Sequence, residues 1–292
     1  MLFRPNILPL FLISLTIVTQ SPASGFHQTE PRLTDERTAK TTAVAFDLYH
    51  GYMIVARGSV GPLKNLHFFI DTGATPTVLD GQIARKLHLE EDAATSIVIL
   101  GGRARGGTTL LPSLEFGPVR RSNLQVVTAD LSFLQKALPV RIDAIVGLDA
   151  LGQGSFEIDY TSRTIRFGPA APMPFSMPLR IEGGFATVEA EVNHEHAHLL
   201  LDTGTGSLIL FETAGTAPQN DAAARTVGEF ESKPTQLRAL RLGDAEFGQE
   251  PALLVRNPKQ TQLNFDGLMA PTALGISRIW IDPPGGVVEF AR

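Results

Sequence analysis

Two stretches decide the architecture: Leu66-His-Phe-Phe-Ile-Asp-Thr-Gly73 and Ala197-His-Leu-Leu-Leu-Asp-Thr-Gly204. Each runs apolar up to an aspartate, and each carries a histidine four residues before it, His67 and His198. An apolar strand seeks burial, and a buried carboxylate must be paired or hydrogen-bonded. Two copies in one chain therefore point to two carboxylates, Asp71 and Asp202, gathered at a shared site.

The surrounding pattern is β from Thr41 onward. Tyr52 to Arg57 reads as a strand, Gly61 to Asn65 as a turn, and Leu66 to Ile70 as the returning strand. Asp80 is placed to cap a short helix in which Ile83 and Leu87 share a face. Gly168 to Pro174 reads as a linker, after which the order of blocks repeats. Leu240-Arg-Leu-Gly243 matches Leu114-Glu-Phe-Gly117. Phe265 to Gly275 matches Ile142 to Gly152, and Arg278 to Phe290 matches the close of the first half. The repeat exceeds a hundred residues, so it predicts two related lobes, residues 41–170 and 171–292, and not a solenoid.

Before them come two segments of different character. Ile7 to Val18 is almost wholly apolar, follows Arg4, and leads to Ser21-Pro-Ala23. It is short for a membrane span and has the layout of a secretory signal, residues 1–23. The expectation is an exported protein, periplasmic or secreted, or one anchored by this segment if it is not cleaved. Residues 24–40 are polar and aperiodic and read as a flexible leader. The 292-residue chain has a formal charge of -5, which gives no basic footprint for nucleic acid. It has no cysteine, which excludes disulfides, thiolate nucleophiles and Cys-based metal sites.

The repeated apolar-Asp-Thr-Gly element and the element Ile145-Val146-Gly147 resemble the aspartic peptidases, specifically the retropepsin-like group, here as a two-lobe single chain like the pepsins. The resemblance runs from about residue 41 to the C-terminus. It implies an all-β acid-protease fold: two homologous β lobes with short helices and a central cleft, completed within one chain, so that a monomer suffices. By the same resemblance Ile145, Val146 and Gly147 back the catalytic loop. Asp71 and Asp202 act as the dyad, supported by Thr72, Gly73, Ala74, Thr203, Gly204 and Thr205.

Two carboxylates about 3 Å apart cannot both ionise. One then takes a proton from water while the other polarises the scissile carbonyl. This implies an endopeptidase acting on an extended peptide or protein, with no metal and no cofactor. The glycine-rich Gly101, Gly102, Gly106 and Gly107 suggest the tip of a flap closing over substrate. The matching region of lobe two, Thr226 to Gln236, is poor in glycine, so a single working flap is expected. Thr205 carries a hydroxyl suited to hydrogen-bonding Asp202 and favouring its ionised form, where lobe one has Ala74.

Two alternatives stand beside this. Lobe two has Ala270-Pro271 where lobe one has Gly147-Leu148, which leaves open a weak or inactive peptide-binding module of the same fold. His194-Glu195 with His198 also fits the H-E-x-x-H pattern of zinc peptidases, which works only on a helix.

Overall fold

The computed structural model describes residues 15–16, 43–92, 95–99, 102–212, 225–227, 230–256 and 265–292. The signal-like segment and leader lie outside these, except for Leu15–Thr16, which pair antiparallel with Val98 and Ile99. Among the described residues no helix is long and apolar enough to cross a membrane.

Each half is built on the same strand crossing. In the first, Met53–Val60 and Leu63–Ile70 form an antiparallel hairpin that ends at Asp71. Ala144–Val146 then runs parallel to Leu63–Ile70 and antiparallel to Val78–Asp80, so it lies between the strands that enter and leave the Asp-Thr-Gly loop. The second half repeats this with Phe185–Val192, Glu195–Leu201, Leu208–Glu212 and Gly267–Met269. Central parallel strands are covered on both faces and therefore read as unbroken apolar runs. Phe68, Phe69, Ile70 and Leu199, Leu200, Leu201 are all fully buried. Phe69 packs with Met53, Val55, Val78 and Ile145 on one side of its lobe. Leu200 packs with Ile209, Phe211, Val255 and Phe265 in the other.

An acid clips each entering strand. Asp143 donates its N–H to the carbonyl of His67 and accepts the His67 N–H on its side chain, both at 2.9 Å. Asp266 does the same with His198, at 2.6 and 2.9 Å. The two histidines of the repeated stretch are thus held through their backbones. Asp80 caps the helix Gly81–Lys86 by accepting from the Gln82 N–H, and Ile83 and Ala84 turn inward.

The halves are joined by one antiparallel sheet. Its order is Ala43–Tyr49, Thr164–Phe167, Phe156–Asp159, Arg278–Asp282, Val287–Ala291 and Phe175–Glu182. The lobes meet where Ile158 pairs with Ile279. Buried Glu157 takes Arg166 from the first half and Arg278 from the second, at 2.9 and 3.1 Å.

The glycine-rich segment differs from its expected form. Thr95–Ile99 pairs with the start of Gly102–Phe116, Ile99 facing Gly102 and Thr95 facing Gly106. The strand therefore begins at Gly102. Gly106 and Gly107 lie at the base of the hairpin, where Gly107 pairs with Thr128. Glycine lacks a side chain but keeps its backbone donor and acceptor, so the ladder continues through it. Gly101 lies outside the described residues. Lobe two also has a hairpin here, Arg225–Val227 with Phe230–Gln236. Poverty in glycine did not prevent it, so each lobe carries a hairpin at this place.

The Ala270-Pro271 departure is accommodated by moving the close contact. A methyl on Gly147 would fall 2.2 Å from the Ala74 carbonyl oxygen, and in lobe two Ala270 fits fully buried. There the tight approach is at Gly267, where a methyl would meet the Ile209 carbonyl oxygen at 2.1 Å. The bond that fixes each aspartate survives in both halves: Asp71 N–H to Val146 O at 3.1 Å and Asp202 N–H to Met269 O at 3.0 Å. Proline costs lobe two only the counterpart of the Leu148 N–H to Ala74 O bond, 3.2 Å in lobe one. Gly147→Ala and Gly267→Ala should each destabilise the fold by about 1–3 kcal/mol through overpacking. Ala270→Gly should cost only about 0.8 kcal/mol, a buried methyl. Urea titration of the three variants checks the order.

Candidate active site

The two loops are locked by their threonines. The Thr72 N–H donates to Thr203 Oγ1 at 3.0 Å, and the Thr203 N–H donates to Thr72 Oγ1 at 3.1 Å. Each hydroxyl in turn donates across the junction, Thr72 to the Leu201 carbonyl at 2.8 Å and Thr203 to the Ile70 carbonyl at 3.2 Å. All four bonds are buried, and each ties one Asp-Thr-Gly loop to the other.

The glycines bring the backbone to the carboxylates. The Gly73 N–H donates to Asp71 Oδ1 at 2.9 Å, and the Gly204 N–H donates to Asp202 Oδ1 at 2.7 Å. A methyl on Gly73 would fall 2.7 Å from Asp202 Cγ, so the first loop touches the second carboxylate directly. Both aspartates are fully buried. Burial, and then the charge of Asp202, hold the Asp71 carboxyl well above the ordinary carboxylate range, against the opposing pull of the Gly73 N–H. The pair therefore retains a proton at a pH where isolated carboxyls are ionised, and the two titrate together. Thr205 is fully buried, and its Oγ1 accepts the Ser207 N–H at 3.4 Å.

Lobe one has a further brace with no counterpart among the described residues of the second. Asp149 accepts from the Thr77 N–H and hydroxyl at 2.8 and 2.7 Å, and Thr77 Oγ1 accepts the Gly147 N–H at 3.1 Å. This chain fixes Gly147 beside Ala74, and burial raises the Asp149 carboxyl. Sequence pattern alone did not single out Thr77 or Asp149. The signal available was an acid two residues after Gly147 with a threonine six after Asp71.

A second pair of residues reaches across the junction. A methyl on Gly206 would fall 2.5 Å from the Tyr52 ring, and one on Gly184 would fall 3.0 Å from Thr75 Oγ1. The Tyr52 phenol is pushed up to about 12, by burial first and the charge of Asp202 second. Tyr160, buried in the joining region, is raised for the same two reasons.

The zinc-peptidase pattern lacks the helix it needs. Asn193 and His194 form the left-handed turn of a hairpin, and Glu195–Leu201 is a strand. His194 Nδ1 lies 3.4 Å from Glu191, and no metal-binding group of three or more is found among the described residues. A cavity of about 400 Å³ beside the hairpin base, lined by Arg85, Glu91, Asp92, Gly107 and Asp130, contains neither Asp71 nor Asp202.

A family model described as aspartyl protease matches residues 56–150. The matched residues lie in the first half of the chain. This segment spans Asp71-Thr72-Gly73 and Ile145-Val146-Gly147; Asp202 lies beyond it. No curated protein matches the chain in sequence. Among solved structures, Basic 7S globulin from soybean aligns over 86% of this chain and 94% of its own, with 14% identity and a TM-score of 0.47.

Two measurements follow from the geometry. Thr72→Val and Thr203→Val should each cost about 1–3 kcal/mol, because each strands a buried donor and acceptor. The double variant should depart from the sum, since the two hydroxyls act in one reciprocal network at the same junction. Asp71 has a folded pKa above its unfolded value, so its contribution to stability is full at low pH and is lost as pH rises through the folded pKa. Asp71→Asn should therefore raise the Tm at pH 7 and change it little at pH 4, read by thermal melts at both.

Proposed function

We propose that the protein is an aspartic-type endopeptidase whose Asp71 and Asp202 together activate water against a peptide bond. The observation that carries this reading is the buried pair itself, one carboxylate per lobe, with Gly73 against Asp202 and the threonines interlocked. Burial of two acids costs stability that a structural role does not require. In the reaction the ionised carboxylate takes a proton from water as it attacks the scissile carbonyl. The protonated carboxyl, favoured at Asp71, polarises the carbonyl oxygen, and the proton then passes to the leaving amine. No covalent intermediate forms. The substrate is an extended peptide or protein chain, and the hairpins Thr95–Ile99/Gly102–Phe116 and Arg225–Val227/Phe230–Gln236 offer strands that can cover it. With both loops in one chain, a monomer completes the site. The N-terminal segment supports export from the cytoplasm.

A peptide-binding module without turnover is the second reading, favoured by the bond missing at Pro271. Against it stands the intact anchor of Asp202 to Met269.

On a denatured protein mixture the wild type should cleave, and Asp71→Asn and Asp202→Asn should each lose roughly 10²–10⁴-fold or more of the rate. Activity should extend above the ordinary carboxylate range into mildly acid pH, because the raised Asp71 keeps its proton there. Treatment with a chelator should leave the rate unchanged. Cleavage that survives either asparagine variant would remove the dyad from the mechanism. Peptide binding by a wild type that never cleaves would favour the module.

A further inference from the structure

The first Asp-Thr-Gly loop is tied to a buried acid by a chain of hydrogen bonds that runs in one direction. Asp149 Oδ1 accepts both the Thr77 hydroxyl, at 2.7 Å, and the Ala150 N–H, at 2.9 Å. A hydroxyl has one proton. With that proton committed to Asp149, the Thr77 oxygen is left to accept the Gly147 N–H, at 3.1 Å. The next residue passes the tie on. The Leu148 N–H donates to the Ala74 carbonyl, and the Ala74 N–H donates to the Asp71 carbonyl, both at 3.2 Å. Thr77 is fully buried, and its own N–H is held by Asp149 Oδ2 at 2.8 Å.

The second lobe makes the same crossing with other residues. Leu208 stands six after Asp202, where Thr77 stands six after Asp71. Thr272 stands two after Ala270, where Asp149 stands two after Gly147. Leu208 is fully buried and has no hydroxyl to pass a bond on. The crossing therefore forms without such a chain. Lobe one nevertheless buries an acid for it, and burial raises the Asp149 carboxyl against the hydrogen bonds that favour its charge. An acid kept at that cost, in a place where the fold does not need it, calls for another role.

We propose that Thr77 and Asp149 are positioning residues for Asp71, holding its loop at a fixed spacing from Asp202. They act through Gly147 and Ala74, and on the first carboxylate alone. This rests on the peptidase reading for the effect on rate, and on the hydrogen bonds alone for the effect on the pair.

The test separates shape from hydrogen bonding. Thr77→Val keeps the shape and removes the hydroxyl, while Thr77→Ser keeps the hydroxyl. Misplacing a reacting group acts on turnover, so Thr77→Val should lower kcat roughly tenfold or more with KM nearly unchanged. Thr77→Ser should restore most of the loss. Asp149→Asn, which keeps the size and leaves the Thr77–Gly147 bond, should show the same pattern at smaller amplitude, and it carries the test if Thr77→Val does not fold. Rates are taken per folded molecule, so lost stability alone leaves kcat in place. The second readout is the titration of Asp71, followed by carboxyl NMR. Asp202 is the titratable group that bears on Asp71, and Tyr52 and Tyr160 in turn face the Asp202 charge. Displacing Asp71 from Asp202 weakens their coupling, so Thr77→Val should bring the Asp71 titration down toward the ordinary carboxylate range, and Thr77→Ser should return it. A wild type that never cleaves, with the titration moving in this way, would reject the peptidase reading and keep the positioning. An unchanged titration would overturn the positioning whatever the rate. So would an unchanged kcat in an enzyme that cleaves, or a loss that Thr77→Ser does not restore.

Discussion

Two acids with no solvent contact sit at the meeting point of two lobes, and much of the molecule is arranged around tolerating that. Two adjacent buried charges would repel strongly in a medium less polarisable than water, so a proton stays with the pair. That state requires the carboxylates to be held close, and they belong to loops 131 residues apart. The reciprocal threonine bonds supply the closeness. The strand crossing supplies the direction, since each aspartate donates its own N–H to the strand lying under its loop. The joining sheet supplies the stiffness. Remove any of these and the buried acids become a cost with nothing to offset it.

The halves solve the same problem with different residues. In the first, a glycine at 147 lets the loop close against Ala74, and Asp149 with Thr77 holds it there. In the second, the tight point lies three residues earlier in the corresponding strand, at Gly267, and Pro271 closes the turn without a donor. Backbone topology is shared while the local means of packing are not.

Much of this was legible in the chain. The apolar runs before Asp71 and Asp202 had to be central strands, and their repetition with the later blocks predicted a doubled β-fold. Other features were hidden for identifiable reasons. The glycines from 101 to 107 looked like one mobile tip because glycine marks turns, yet Gly106 and Gly107 remain in the ladder. A methyl on Gly107 would fall 2.9 Å from Glu91 Cβ, so its smallness serves packing. The Tyr52–Gly206 contact joins residues from opposite lobes, and no local periodicity records it. Ala270 looked like a defect because only one lobe's glycine was visible as a requirement. The compensating glycine, at 267, is meaningful only once Ile209 is seen against it.

Glu157 carries a consequence for how the halves hold together. Its two arginines come one from each half, and the strand that bears it is covered by a strand of the other half. A half taken alone would keep the acid with one cation, and Ile158 would lie at an open sheet edge. The seam is thus covered from both halves at once. Strand pairing at the base therefore ties each half to the other through the same buried acid.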